Sequence, residues 1–280
     1  MPPSAIDHIV FTAQSYMESK NISGWLLYDY RGMNPIFYEV LGRIPHITRP
    51  CWLWIPAKGN PELLASFVDQ GRFANLNLHT TLFSNRTNMT FHLSEMLSGA
   101  RQIAMEYSPN NQLPRVSRVD AGTIELVRSI GVEVISSGDT LQYATQRWND
   151  SQLETHLSAA SKLKKIVMES FDMIGESLHS NLTEYEVSEF IRQRFIAENL
   201  ELNDGPVVAV NEHSSDPHFQ PTSKSSSTIS AGDWVLIDLW SRIKGEDTMY
   251  SDITWTAYIG VKVPDLQQRV FDIVIGARDV

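Results

Sequence analysis

One cysteine, Cys51, stands in 280 residues, and a single thiol cannot close an internal disulfide. That usage fits a reducing compartment, and the cytoplasm is the expected location. Cys51 opens the apolar run Cys51–Ile55, which marks it as a core thiol and not a nucleophile. No apolar stretch approaches the ~18 residues of a membrane span. The start, Met1 to His8, has neither the basic nor the apolar region of a secretory leader. The Asn-x-Ser/Thr triplets at Asn21, Asn85, Asn88, Asn149 and Asn181 therefore carry no glycosylation reading. Basic runs are also missing. A formal net charge of −10, from 33 acidic and 23 basic residues, argues against a nucleic-acid partner, which would need a basic face. Absent too are a Gly-x-Ser-x-Gly elbow, a Gly-rich phosphate loop, a Gly-x-Gly-x-x-Gly turn and a His-Glu-x-x-His helix. What these absences leave is carboxylate–metal chemistry.

A hydrophobic fraction of 42% is ample for the cores of two domains of ordinary size. In the first half, helical and strand patterns alternate. Residues 5–20 read as a helix, Trp25–Tyr28 and Cys51–Ile55 as strands, and Gln102–Glu106 and Val132–Ile135 as two more. Between the last two, Val119–Ile130 has helical character and ends at Gly131, a good C-cap. Strands alternating with helices predict an α/β layer domain over 1–150. From Ser151 to Leu178 the apolar residues Leu153, Leu157, Ala160, Leu163, Val167, Phe171 and Ile174 fall three and four apart, which makes one long amphipathic helix. Thr183-Glu184-Tyr185-Glu186 is a capping box that starts a second helix. A strand at Pro206–Val210 and a polar loop at Asn211–Ser230 follow, the serines at its end reading as mobile. A hairpin and a last amphipathic helix from Asp265 complete a second domain, 151–280.

The arms of that hairpin are Trp234–Trp240 and Tyr250–Ile259, and each carries one aspartate. Side chains alternate along a strand, so Leu236, Asp238 and Trp240 share a face, as do Asp252, Thr254, Thr256 and Tyr258. A turn centred near Gly245 sets Asp238 directly opposite Asp252. Opposed positions lie roughly 4.5–5.5 Å apart at Cβ, where like charges destabilise a sheet. A divalent cation between hard oxygen ligands would remove that cost. Two of the eight histidines, His213 and His218, lie in the loop just before the hairpin, where strands can position a catalytic group. Asp216 and Glu212 in the same loop read as capping residues.

These residues carry a resemblance. Ile237-Asp238-Leu239-Trp240 and Tyr250-Ser251-Asp252-Ile253-Thr254-Trp255-Thr256, with Gly260, resemble the metal-binding hairpin of the creatinase/aminopeptidase P/prolidase family of pita-bread metallopeptidases. Asp216–Pro221 is similar to the family's first active-site histidine loop. Gly24–Gly32, Asn34-Pro35, Leu113-Pro114 and Val119–Thr123 resemble its amino-terminal, creatinase-like domain. The resemblance implies a creatinase-like α/β domain followed by the first half of a pita-bread catalytic domain. It further implies Asp238 and Asp252 as metal ligands, with Asp252 bridging two ions. His218 would contact substrate and stabilise the tetrahedral intermediate or shuttle a proton. The implied cofactors are two divalent ions, Mn2+ or Co2+ and sometimes Zn2+. The implied substrate is a peptide with proline in second position, and the implied assembly a homodimer.

Two departures stand out. The family usually has glycine where Trp240 stands and arginine where Trp255 stands, so the pocket wall is altered. The family's remaining ligands, a histidine and two glutamates, belong to a region that would begin about where Val280 ends. A chain truncated there is expected to bind metal weakly and to lack peptidase activity. Two other readings share these residues: a non-catalytic binding or assembly relative, and a creatinase-like C–N hydrolase.

Overall fold

Alternate residues of the most apolar strands separate onto two faces, and that alternation builds the first unit of the protein. The structure, a computed structural model, describes residues 5–42, 44–202 and 204–280. Residues 1–4, read above for a leader, lie outside the described residues. Two units divide the chain, Met1–Arg147 and Trp148–Val280.

The first unit runs α1 (Ala5–Lys20), β1 (Gly24–Asp29), α2 (Pro35–Leu41), β2 (Cys51–Pro56), β3 (Glu62–Ser66), β4 (His79–Phe83), α3 (Arg86–Met96), β5 (Gln102–Met105), α4 (Ala121–Ser129), β6 (Glu133–Ser136) and α5 (Gly138–Thr145). Its six strands form one mixed sheet in the order β4-β3-β2-β1-β5-β6. The β1–β2 and β2–β3 pairs are antiparallel and the others parallel. Trp25, Leu27, Leu53 and Ile55 turn to one side, where Met17 of α1, Phe37 of α2 and Leu141 of α5 meet them. Leu26, Trp52 and Trp54 turn to the other, against Leu93 of α3 and Val127 of α4. A sheet buried on both faces reads as a continuous apolar run, which is why β1 and β2 stand out in the sequence. The fold is α/β, as expected. Cys51 is buried in the first of these cores, as its apolar run implied. The sequence reading did not anticipate α2, β3, β4, α3 or α5. β4 is an edge strand with only Phe83 buried, so its composition carries little signal.

A buried carboxylate ties this unit together. Glu106, just past β5, is fully buried. It accepts hydrogen bonds from Trp25 Nε1 (2.6 Å), Asn34 Nδ2 (2.9 Å) and Ser137 Oγ (3.2 Å). Asn34 also caps α2, its side chain accepting from the Ile36 amide (3.1 Å). Burial pushes the Glu106 carboxyl up to about 7, against the pull of those three donors.

The second unit contains α6 (Asp150–Glu176), α7 (Glu184–Ala197), β7 (Val207–Val210), β8 (Trp234–Ser241), β9 (Ser251–Tyr258) and α8 (Asp265–Arg278). Both long helices begin with capping boxes, Asn149 with Gln152 and Thr183 with Glu186. The strands form an antiparallel sheet in the order β7-β8-β9. Val235, Ile237 and Leu239 of β8 face Leu163, Ile166 and Val167 of α6 and Val187, Ile191 and Phe195 of α7. No described residue of α8 is buried, and Leu266, Val270, Ile273 and Val274 are exposed. Among the described residues no helix is long and apolar enough to cross a membrane.

Candidate metal centre

Because α6 and α7 take the odd-numbered face of β8, the even-numbered residues look outward. Along the strand Val235, Ile237, Leu239 and Ser241 are buried, while Trp234, Leu236, Asp238 and Trp240 are half-buried. Asp238 opposes Thr254 on β9 and Val207 on β7, and Trp240 opposes Asp252. This corrects the expected register: Asp238 and Asp252 are not directly opposed but offset by two residues. A shift of two preserves the face, since side-chain direction repeats every second residue. The carboxylates are therefore diagonal neighbours on one open face. Such positions lie roughly 7–8 Å apart, against 4.5–5.5 Å for opposed ones.

The cause of the shift lies in the turn. The last strand pair is Ser241 with Ser251, so the connection is the nine residues between them and not a tight turn at Gly245. That connection is held from outside the hairpin. Ile243 bridges to Leu200, the Lys244 amide donates to Asn199 O (3.1 Å), and the Met249 amide donates to Thr155 Oγ1 (3.1 Å). Gln152 Nε2 reaches Asp247 Oδ1 at 2.8 Å. Ties to α6 and to the residues after α7 draw the turn past the point that spacing suggests.

Thr254 Oγ1 donates to Asp238 Oδ1 at 2.6 Å. That fixes one oxygen of Asp238 and leaves the other lone pairs open, the manner in which an outer partner orients a metal-binding carboxylate. Asp252 is exposed, and its carboxyl is pushed up from the usual range, first by partial burial and then by the charge of Asp238. The two carboxylates thus feel each other. They suit a hard divalent cation in kind, but among the described residues no group of three or more His, Cys, Asp or Glu is placed to hold one.

The loop that carries His218 leaves β7 after Val210, which pairs with Val235, while Asp252 sits against Trp240 near the other end of β8. The His218 ring is exposed, and its amide donates to Asp216 Oδ1 (2.9 Å), so Asp216 caps the turn as expected. The structure brings the aspartates together on one face, and the loop that carries His218 starts from the Val210 end of β7.

Glu184 is the residue that sequence reasoning missed. It is fully buried in the first turn of α7 and accepts from the Val210 amide (2.6 Å), the Ser227 amide (2.7 Å) and His213 Nδ1 (2.9 Å). The His213 ring stacks on Phe219 at 4.1 Å between centroids. Both ends of the histidine loop are thereby pinned, and Ser226 and Ser227, read as part of a mobile stretch, are tied to α7. The only trace in the sequence was that Glu184 lies inside a capping box; nothing there marks it as inward-facing.

Residues 156–280, a span that includes both aspartates and the histidine loop, match the family model of metallopeptidase family M24. Over that span the chain is similar to the M24 metallopeptidases. The solved structures agree in fold. Dipeptidase PepE from Mycobacterium ulcerans is 18% identical, with a TM-score of 0.62 over 96% of this chain and 68% of that one. Prolidase from Pyrococcus horikoshii OT3 is 19% identical, with 0.52 over 97% and 70%. Prolidase from Thermococcus sibiricus is 17% identical, with 0.54 over 96% and 70%. No curated protein matches the chain by sequence. The open aspartate face lies inside the matched segment.

Proposed function

We propose that the chain carries part of the site of a metal-dependent peptide hydrolase of the Xaa-Pro aminopeptidase or dipeptidase type, inactive by itself, in which Asp238 and Asp252 are metal ligands and His218 contacts substrate. One observation carries the reading: two carboxylates share an open sheet face inside the M24 segment, and one of them is oriented by a threonine hydroxyl. The expected cofactors are two divalent ions, Mn2+ or Co2+ in preference to Zn2+ because carboxylate oxygens are hard donors. When bound, such ions lower the pKa of water and polarise the scissile carbonyl. The chain's own residues do the rest. Thr254 holds Asp238 in one rotation, Asp252 presents its carboxylate to solvent, and Glu184 with His213 fixes the loop from which His218 reaches out. The creatinase-like identity of the first domain and a homodimeric assembly belong to the same proposal.

Two carboxylates alone cannot complete the spheres of two ions, so the 280-residue chain should bind Mn2+ weakly and not turn over Xaa-Pro dipeptides. Titration of the purified chain with Mn2+, followed by electron paramagnetic resonance, tests the ligand assignment. Weak binding that disappears in Asp252→Asn, with the thermal transition unchanged, is expected. Equal Mn2+ binding by the variant refutes it, and Xaa-Pro turnover by the chain refutes its inactivity. The scarcity of further donors among the described residues favours a second reading, a non-catalytic binding relative. No Mn2+ binding by the parent chain would support that one.

A further inference from the structure

Trp240 is the one aromatic residue set directly across from an aspartate on the open face, its partner being Asp252. The far edge of its ring abuts Gly205, where an added Cβ would stand 2.6 Å from the ring and the φ of +82° also disfavours a side chain. The indole is thus seated on a surface that only glycine provides. Beside it a cavity of about 720 Å3 opens, lined by Leu202, Asp204, Trp240 and Tyr250. The nearby cation is already committed: Arg242 makes a two-point pair with Glu201 (2.8 and 3.0 Å) and stacks over the Tyr250 ring at 5.1 Å. The recess therefore offers aromatic faces and an aliphatic wall with the carboxylate of Asp204 at its edge.

We propose that this recess is the subsite for the side chain of the peptide's first residue, and that Trp240 and Asp204 select a cationic one, lysine or arginine. The inference rests on the hydrolase reading above. A substrate whose first carbonyl lies at the aspartates has its adjacent side chain within one cross-strand spacing of the indole. A long side chain lays its methylenes on Trp240 and Leu202 and brings its charge to Asp204. A cation over an indole face is attracted by the ring quadrupole, and Asp204 adds a carboxylate partner. A glutamate side chain would meet Asp204 with like charge. The glycine usual at position 240 in the resembling family would leave no such wall, so the preference belongs to this chain's own residue.

The test is equilibrium binding and not turnover, using the 280-residue chain in Mn2+ and the dipeptides Arg-Pro, Leu-Pro and Glu-Pro, measured by calorimetry. Arg-Pro should bind about tenfold more tightly than Glu-Pro, the sum of a ring contact and an ion pair. Asp204→Asn should reduce that ratio to about twofold while leaving Leu-Pro unchanged. Trp240→Ala should weaken Arg-Pro and Leu-Pro about fivefold each, and Trp240→Phe, which keeps a ring and guards against misfolding, should restore most of the loss. Equal binding of Arg-Pro and Glu-Pro, or binding of neither, overturns the subsite. If the chain binds no Mn2+ yet retains the Arg-Pro preference and its Asp204 dependence, the hydrolase reading fails and the subsite stands.

Discussion

The buried carboxyl of Glu106 should make the stability of the protein fall as the pH rises through the neutral range. Its ordinary value is 4.5, and in the folded chain burial pushes it up to about 7. The folded state therefore holds the proton more tightly than the unfolded state does, and protonation favours folding. The contribution is complete below 4.5 and is lost as the pH rises to about 7. Its full size follows from the gap between those two values, at about 1.4 kcal/mol per pH unit, and comes to about 3 kcal/mol. Between pH 5 and pH 8 the expected loss is about 2.5 kcal/mol. With full burial, solvent screening does not diminish it.

Glu106→Gln isolates the effect, because glutamine has nearly the same shape and does not titrate. Its carbonyl oxygen can accept from Trp25 and Ser137 as Oε1 does now, but its amide would face the Asn34 amide, donor against donor. That mismatch costs roughly 1–3 kcal/mol at every pH. The informative quantity is the parent-minus-variant stability from urea unfolding at pH 5, 6, 7 and 8. It should drop by about 2.5 kcal/mol across that range, which is a relative midpoint shift of roughly 1 M urea. A difference that stays level from pH 5 to pH 8 would refute the reasoning, because every other titrating group cancels between the two proteins.

Removing Glu184 should release the histidine loop. Glu184→Ala leaves the buried amides of Val210 and Ser227 without an acceptor, at a cost of about 2 kcal/mol or more. Amide exchange at those two positions should accelerate well beyond that at Leu163 in α6, and equal rates would show that the loop is held by something else. Thr254→Val removes the hydroxyl that orients Asp238 and should weaken Mn2+ binding roughly tenfold, the usual effect of losing an outer partner of a metal ligand. Unchanged affinity in the Mn2+ titration would mean that the hydroxyl does not steer the carboxylate.

What the sequence revealed and what it hid follow from how each element is buried. β1 and β2 lie between two helix layers, so their residues are apolar at nearly every position and were visible as runs. α6 and α7 were visible because each buries one stripe and opens with a reciprocal cap. β4, at the edge of the sheet, keeps enough polar residues to hide, and β3 is five residues long with Glu62 and Ser66 at its ends. α2 is seven residues long, too short for a periodic pattern, and its signal is only Asn34-Pro35. At the candidate site, alternation correctly put Asp238 and Asp252 on one face but could not fix their pairing. The pairing is set by Leu200, Asn199 and Thr155, residues distant in sequence that hold the turn.

The offset changes why those aspartates point to a cation. Directly opposed, two carboxylates would repel strongly enough that folding itself would call for an ion between them. Diagonal and partly solvated, they are tolerable without one, and the Asp252 carboxyl is raised first by partial burial and only then by the charge of Asp238. Repulsion alone therefore no longer demands a metal. The proposed reading rests instead on what surrounds them. A carboxylate placed on a sheet for structural reasons commonly finds a lysine or arginine across the strand. Among the described ion pairs of this chain neither Asp238 nor Asp252 has a cationic partner, and Arg242 is held by Glu201. The single side-chain bond to the pair comes from a neutral hydroxyl, which orients Asp238 without neutralising it. Under the proposed reading, two negative charges held on one open face, one of them aimed, would receive a cation that the protein does not itself supply.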